Sequence, residues 1–192
     1  MKNKINVFWF RRDLRLEDNA GLHHALKSGN PVLPIFIFDT EILDKLENKT
    51  DSRVDFINRA LLEINNELKQ AKSSLLTLSG NPIDVFKKLL IDYNIEEVFT
   101  NQDYEPYAIK RDEEIKKILD EHGIKFRAYK DQVIFDKDEI VKPDGKPYTI
   151  YTPYSNTWRK KFDNKDVRSY PVKDHFNNFY KFKSKIISLD EI

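Results

Sequence analysis

The sequence predicts an α/β domain built on a doubly wound, five-stranded parallel sheet with helices on both faces, followed by a C-terminal connector. Two observations predict it. Apolar runs of strand length alternate strictly with longer amphipathic or charged helical segments. Stop and start signals fall between them, at Gly29-Asn30-Pro31, Gly80-Asn81-Pro82 and Gly123. Five strands in strict alternation with four intervening helices imply right-handed crossovers and a sheet covered on both sides. The outline is Rossmann-like.

The elements follow in order. Ile5–Phe10 reads as a buried strand. Ala20–Ser28 reads as a helix capped by Asp18 or Asn19 and stopped at Gly29. Val32–Phe38 is a second buried strand, ending at Asp39. Asp51–Lys72 is a long amphipathic helix, with Val54, Ile57, Leu61, Ile64 and Leu68 spaced three or four apart. Ser74–Leu78 is the third strand. Pro82, tolerated in a first turn, opens a helix to Asp92. Glu97–Thr100 is the fourth strand, Glu105–His122 a charged helix ended by Gly123, and Ile124–Tyr129 the fifth strand. Residues 1–130 thus form the core.

After Lys130 the alternation fails. Lys142–Pro147 carries turn chemistry, a hairpin or surface loop. Thr152-Pro153 opens a short closing helix through Trp158 to about Phe162, so 131–162 complete the domain. Residues 163–192 have no clear period and read as a basic linker along the surface. From Trp158 to Lys185 there are nine Lys and Arg against three Asp. A solvated segment is the preferred reading of that charge, ahead of a nucleic-acid contact.

Composition narrows the chemistry. The 192 residues carry a formal net charge of +1, which gives no overall affinity for polyanions. The absence of cysteine excludes disulfides, thiolate metal sites and a cysteine nucleophile. No apolar stretch approaches membrane-spanning length, and Met1–Lys4 begins no signal peptide, so a cytoplasmic monomer is the default. The glycines at 21, 29, 80, 123 and 145 are too dispersed for a GxGxxG turn or a phosphate loop. Among the histidines at 23, 24, 122 and 175 there is no HExxH pair; His23 and His24 read as structural or solvated. No catalytic nucleophile and no metal site is expected.

In an open α/β sheet, ligands bind outside the carboxyl ends of the strands. Three loops at that edge carry unusual residues: Arg11-Arg12-Asp13-Leu14-Arg15, Phe36–Asp39 running into Thr40–Leu43, and Asn101–Tyr107. Arg11, Asp39, Asp103 and Glu105 can converge there. An internal ion-pair network with helix capping is the plainer reading of each carboxylate alone. Together, beside an aromatic strand end, they favour a pocket for a planar, partly anionic ligand.

The wording of these segments goes further. Phe8-Trp9-Phe10-Arg11-Arg12-Asp13-Leu14-Arg15 with Asp18-Asn19 resembles the N-terminal signature of the DNA photolyase and cryptochrome family. Asn101-Gln102-Asp103-Tyr104-Glu105-Pro106-Tyr107 with Arg111-Asp112 resembles a second family segment. Tyr148–Trp158 resembles the stretch that closes the family's α/β domain, and Tyr180–Ile192 the start of its connector. The resemblance spans essentially the whole chain.

What the resemblance implies is specific. The family's N-terminal α/β domain harbours an accessory light-harvesting chromophore. The FAD, the lesion pocket and the contact with damaged DNA belong to a helical domain that would begin where this sequence ends. The whole protein would be a deoxyribodipyrimidine photolyase, or alternatively a cryptochrome photoreceptor; this segment alone would repair nothing. A free-standing module of the electron-transfer flavoprotein type is disfavoured by the missing glycine-rich loop. Members binding a deazaflavin antenna carry an arginine after the first strand, Asp after the second and Asp-x-Glu-Pro after the fourth. Arg11, Asp39, Asp103 and Glu105 match. Phe36, Ile37 and Phe38 would wall the pocket, and Arg53 and Val54 would close it. FMN could use the same pocket. Methenyltetrahydrofolate is a weaker candidate, because the Asn-Glu pair of the folate mode is replaced by Tyr107-Ala108. The loop Leu46–Thr50 is one residue longer than in close deazaflavin binders. Arg12, Asp13 and Arg15 are expected to hold their loop through ion pairs.

Overall fold

A computed structural model describes residues 3–46, 51–163, 167–188 and 191. The added residue of the Leu46–Thr50 loop falls on 47–50, outside the described residues. Strands β1 (Lys4–Phe10), β2 (Val32–Asp39), β3 (Leu76–Gly80), β4 (Asn94–Asn101) and β5 (Lys125–Tyr129) form one sheet in the order β3-β2-β1-β4-β5. Every neighbouring pair is parallel. The helices are α1 (Ala20–Leu26), α2 (Thr40–Leu43), α3 (Ser52–Leu68), α4 (Pro82–Asp92), α5 (Pro106–Glu121) and α6 (Tyr151–Lys161).

Side chains of a strand point alternately to opposite faces, and β1 therefore feeds two cores. Phe8 and Phe10 pack with Leu22 and Leu26 of α1 and Leu61 and Ile64 of α3. Val7 and Trp9 pack with Phe86 and Leu89 of α4 and Ile115 and Leu119 of α5. The double winding is thus encoded in consecutive β1 residues. Helix starts follow their local chemistry. Asn19, Asp39, Asp51 and Asn81 each accept from a backbone N–H of the first turn, and Pro82 and Pro106 open α4 and α5. Gly21 seats α1 against β4. A Cβ there would lie 2.6 Å from Asn101 Oδ1 and 3.0 Å from the Thr100 carbonyl oxygen.

Several boundaries differ from the sequence expectation. β3 starts at Leu76, after Ser74, because the preceding polar groups have other partners. The Leu75 N–H donates to Asn65 Oδ1 at 2.9 Å, and the Ser73 and Ser74 hydroxyls donate to Tyr180 and Phe182 carbonyls at 2.7 and 3.4 Å. β4 starts at Asn94, earlier than Glu97, with the polar Asn94 and Glu96 lying in the ladder end beside Lys4. Asp39 caps the short α2, whose four residues are too few to leave a period in the sequence. Lys142–Pro147 is a surface loop closed by the Lys142 N–H donating to the Lys146 carbonyl at 2.9 Å.

The reading of 163–192 as a surface linker is corrected. Val172 and Phe179 are each 1% exposed and belong to the α1/α3 core. Phe179 bridges to Val32, and the Tyr180 N–H donates to the Val32 carbonyl at 2.8 Å. The segment then passes along β3, an edge strand, where Lys181 donates to the Ala71 carbonyl and the Ile187 N–H to Thr77 Oγ1, each at 2.8 Å. An open sheet edge is thereby covered. Irregular aromatic spacing without helical or strand period hid this packing in the sequence.

Candidate functional site

The carboxyl edge of the sheet holds the predicted residues, distributed among three polar assemblies. The first fills the crevice between β1 and β4, where the strand order reverses. The Arg11 backbone N–H donates to Asp13 Oδ1 at 2.8 Å. Asn101 Nδ2 donates to Asp13 Oδ2 at 2.5 Å and to Asn19 Oδ1 at 2.8 Å, and its own Oδ1 accepts from the Gly21 N–H at 2.8 Å. Asp13, Asn19 and Asn101 are 5%, 0% and 1% exposed, so the position where doubly wound folds commonly bind ligands is a satisfied polar plug here.

The second assembly lies on the α5 side. Arg11 Nη1 donates to both oxygens of Asp112 at 2.7 and 2.6 Å, and Nη2 donates to the Asn101 carbonyl. Arg111 Nη2 reaches Asp112 at 3.2 Å, and its Nη1 lies 3.5 Å from Asp39 Oδ2. The Tyr107 hydroxyl donates to the same Asp39 oxygen at 2.7 Å, while Asp39 Oδ1 accepts from the Glu41 N–H. Both guanidinium groups lie near the Trp9 ring, at 5.2 Å for Arg11 and 4.6 Å for Arg111. Burial, with the Asp39 hydrogen bond second, pushes the Tyr107 hydroxyl well above the usual tyrosine range. The third assembly is more open. Arg12 pairs with Asp103 at 3.4 Å and Glu105 at 3.9 Å, and its guanidinium lies 5.9 Å from the Tyr104 ring centroid. Asp103 also accepts from the Glu105 N–H, fixing the turn into α5.

On the opposite face, α3 begins at this same edge. Asp51 accepts from both the backbone and the side chain of Arg53, which holds its carboxyl down at about 2. Val54 is half-buried. Leu14 of the β1–α1 loop, Leu43 of α2 and Ile57 of α3 are partly buried against the cluster that holds Phe36 and Phe38.

Asp39 belongs to the α5-side assembly and Asp103 and Glu105 to the one around Arg12, all at the carboxyl edge, with Arg53 and Val54 at the start of α3. Arg11 is on the rim, but its guanidinium is committed to Asp112 and a carbonyl. Phe36, Ile37 and Phe38 do not form one wall. Phe36 and Phe38 face α1 and α3, whereas Ile37 faces α4 and α5. Consecutive strand residues alternate, so only the two phenylalanines are on the α3 side. Sequence reasoning missed the roles of Tyr107 and Arg111. They sit four apart at the start of α5, a spacing that places them on one helix face toward Asp39. It also missed Asn58, whose buried Oδ1 has no hydrogen-bond partner. Arg15 and Asp13 hold their loop as expected, with Arg15 paired to Asp131 at 2.9 Å. Among the described residues no group of His, Cys, Asp or Glu forms a metal cage, and no helix is long and apolar enough to cross a membrane.

The model of the DNA photolyase family matches residues 6–173. The deoxyribodipyrimidine photo-lyase of a Synechococcus species is 35% identical over 153 residues, covering 80% of this chain and 31% of that protein. The solved bacterial class III photolyase of Agrobacterium tumefaciens superposes with a TM-score of 0.81 at 25% identity, over 99% of this chain and 38% of the other. An archaeal photolyase from Sulfolobus tokodaii, solved with two FAD molecules and described as implying a novel light-harvesting cofactor, gives a TM-score of 0.70 at 30% identity. It covers 90% of this chain and 41% of its own. The chain thus spans about a third of the length of the curated photolyase it matches.

Proposed function

The chain belongs to the DNA photolyase family, and on that premise we propose that it is the α/β antenna domain of a deoxyribodipyrimidine photolyase. Its task is to hold a light-harvesting chromophore at the carboxyl edge, between β2, the start of α3 and the β4–α5 turn. In the whole protein the bound chromophore would absorb light and pass the excitation to an FAD in a helical domain, which would cleave pyrimidine dimers in damaged DNA. Residues 163–192 would lead toward that domain.

The observation that carries this reading is the placement of Asp39, Asp103 and Glu105 at the carboxyl edge of the sheet, where Leu14, Leu43 and Ile57 pack against the Phe36 and Phe38 cluster on the α3 face. An antenna needs tight, water-poor positioning of a conjugated ring and no acid–base work. Phe36, Phe38 and Val54 supply an apolar wall. Arg53, 73% exposed, offers a fork to an anionic tail, and Glu105 accepts from ribityl hydroxyls. Arg11 and Asp103 shape the loops. The orphaned acceptor at Asn58 fits a ligand with a ring N–H. A hydroxylated deazaflavin is the favoured ligand, FMN the next and methenyltetrahydrofolate the last, because Tyr107 is committed to Asp39.

The test is Glu105→Ala. Titrated with the deazaflavin, this variant should lose about 1 kcal/mol of binding, the lower range for a charged but half-exposed contact. Its urea midpoint should match the parent. An unchanged affinity would remove Glu105 from the site.

A further inference from the structure

Two asparagines lie seven residues apart on the inward stripe of α3, and only one has a partner for its carbonyl. Asn65 Oδ1 accepts from the Leu75 N–H at 2.9 Å, which secures the entry to β3. Asn58 Oδ1 is buried without a hydrogen-bond partner. Asn58 stands four residues after Val54 and three before Leu61, so it lies on the core-facing side of the helix, one turn nearer the carboxyl edge than Leu61. Leu61 is fully buried in the cluster with Phe36 and Phe38, and Val54 and Ile57 flank the position. The direction of α3 follows from the topology. β2 ends at the carboxyl edge and the parallel β3 starts at the amino edge, so α3 descends between them with Asn58 in its upper half.

A buried amide oxygen without a donor destabilises the fold, and such a group calls for an explanation. At an ordinary core position leucine would pack as well and cost nothing. The remaining buried orphan among the described residues, His23 Nδ1, lies among the rings of Tyr170 and His175 on the connector side. Asn58 alone of the two adjoins the apolar margin of the proposed chromophore site.

We infer that Asn58 is a ligand-binding residue whose Oδ1 accepts a hydrogen bond from the imide N–H of a flavin-type ring. The inference rests on the antenna reading and names the ligand edge it recognises. The pyrimidine end of FMN, FAD and the deazaflavins presents one N–H, at N3, between two carbonyl groups. A single buried acceptor without a donor matches that edge. The opposite, benzenoid end of the ring and the ribityl tail would then face the open rim, where Arg53 and Glu105 lie.

The experiment compares ligand binding with ligand-free stability in the 192-residue chain. FMN, 8-hydroxy-5-deazaflavin and their N3-methyl derivatives are titrated by fluorescence into the parent, Asn58→Leu and Asn58→Ala chains, and each ligand-free Tm is measured. N3-methylation should weaken binding to the parent about tenfold, the effect of one buried hydrogen bond. Asn58→Leu should weaken the N3–H rings by a similar factor, bind methylated and unmethylated rings alike, and raise the ligand-free Tm. Asn58→Ala, which cannot overpack, should show the same loss of discrimination. A variant that keeps the parent's preference for the N3–H ring overturns the inference, as does a lower ligand-free Tm for Asn58→Leu, which would mark a structural partner. If the parent binds the rings but is insensitive to N3-methylation, only this inference falls. If it binds none of them, the antenna reading falls and takes the inference with it.

Discussion

Arg11 shows how one residue can look like a ligand contact in sequence and act as a brace in space. A guanidinium just past an aromatic strand is well suited to a planar anion. Its forked donors instead close on Asp112, and the two side chains are only 8% and 15% exposed. Removing one member of such a buried pair leaves the other charge uncompensated, at a cost of about 3–5 kcal/mol. Arg11→Ala should therefore shift the urea midpoint sharply downward with the slope unchanged; a midpoint equal to the parent's would return Arg11 to the role of a ligand contact. Asp39 is similar, because both its oxygens have partners, so its part in the rim was legible while the engagement by Tyr107 and Arg111 was not. Those partners come from a helix dozens of residues away, and sequence separation carries no distance information. Asn58 was legible in principle: a polar residue on the stripe of Val54, Leu61, Ile64 and Leu68 breaks the apolar period.

At the scale of elements, strands and helices with their own period were readable, and elements held only by tertiary contacts were not. β1, β2, α3 and α5 each carry a run or stripe long enough to identify. The segment 170–188 carries none, and its order comes from pairing with Val32, the edge of β3 and the α1 face. That last contact is aromatic. The His23 ring lies 5.3 Å from His175 and 5.6 Å from Tyr170, and the His24 ring stacks on Tyr129 at 4.4 Å. Burial lowers the pKa of both His23 and His24 below 6.5. Lys27 reinforces the effect at both rings, while His175 lowers and Asp174 and the Pro171 carbonyl raise His23. The packed rings therefore favour neutral histidine. Their contribution is present above about pH 6.5 and lost as the pH falls below it, where His23 and His24 of α1 take up protons once the segment has detached but resist them while it is packed. Hydrogen exchange of residues 170–179, corrected for intrinsic rates, should show weaker protection at pH 5.5 than at pH 7.5. Equal or greater protection at pH 5.5 would contradict this account.

For the whole molecule, the sheet order explains where a ligand can go. The switch between β1 and β4 would ordinarily be the binding crevice, but Asp13, Asn19 and Asn101 close it with satisfied hydrogen bonds. Asp103 and Glu105 stand at the β4–α5 turn and Asp39 reaches from the end of β2 toward α5, whereas Leu14, Leu43 and Ile57 lie on the α1 and α3 face. Doubly wound architecture was legible from alternation and punctuation alone. The closure of that crevice was not, because it depends on Asn101 meeting Asn19 and Asp13 across the sheet. The most direct test is the near-visible absorption of the purified chain with increasing 8-hydroxy-5-deazaflavin, FMN or methenyltetrahydrofolate. Saturable binding at one site, with a shifted and sharpened band that is strongest for the deazaflavin, is the predicted result; spectra that remain those of the free ligands for all three would contradict the proposal that this domain is an antenna mount.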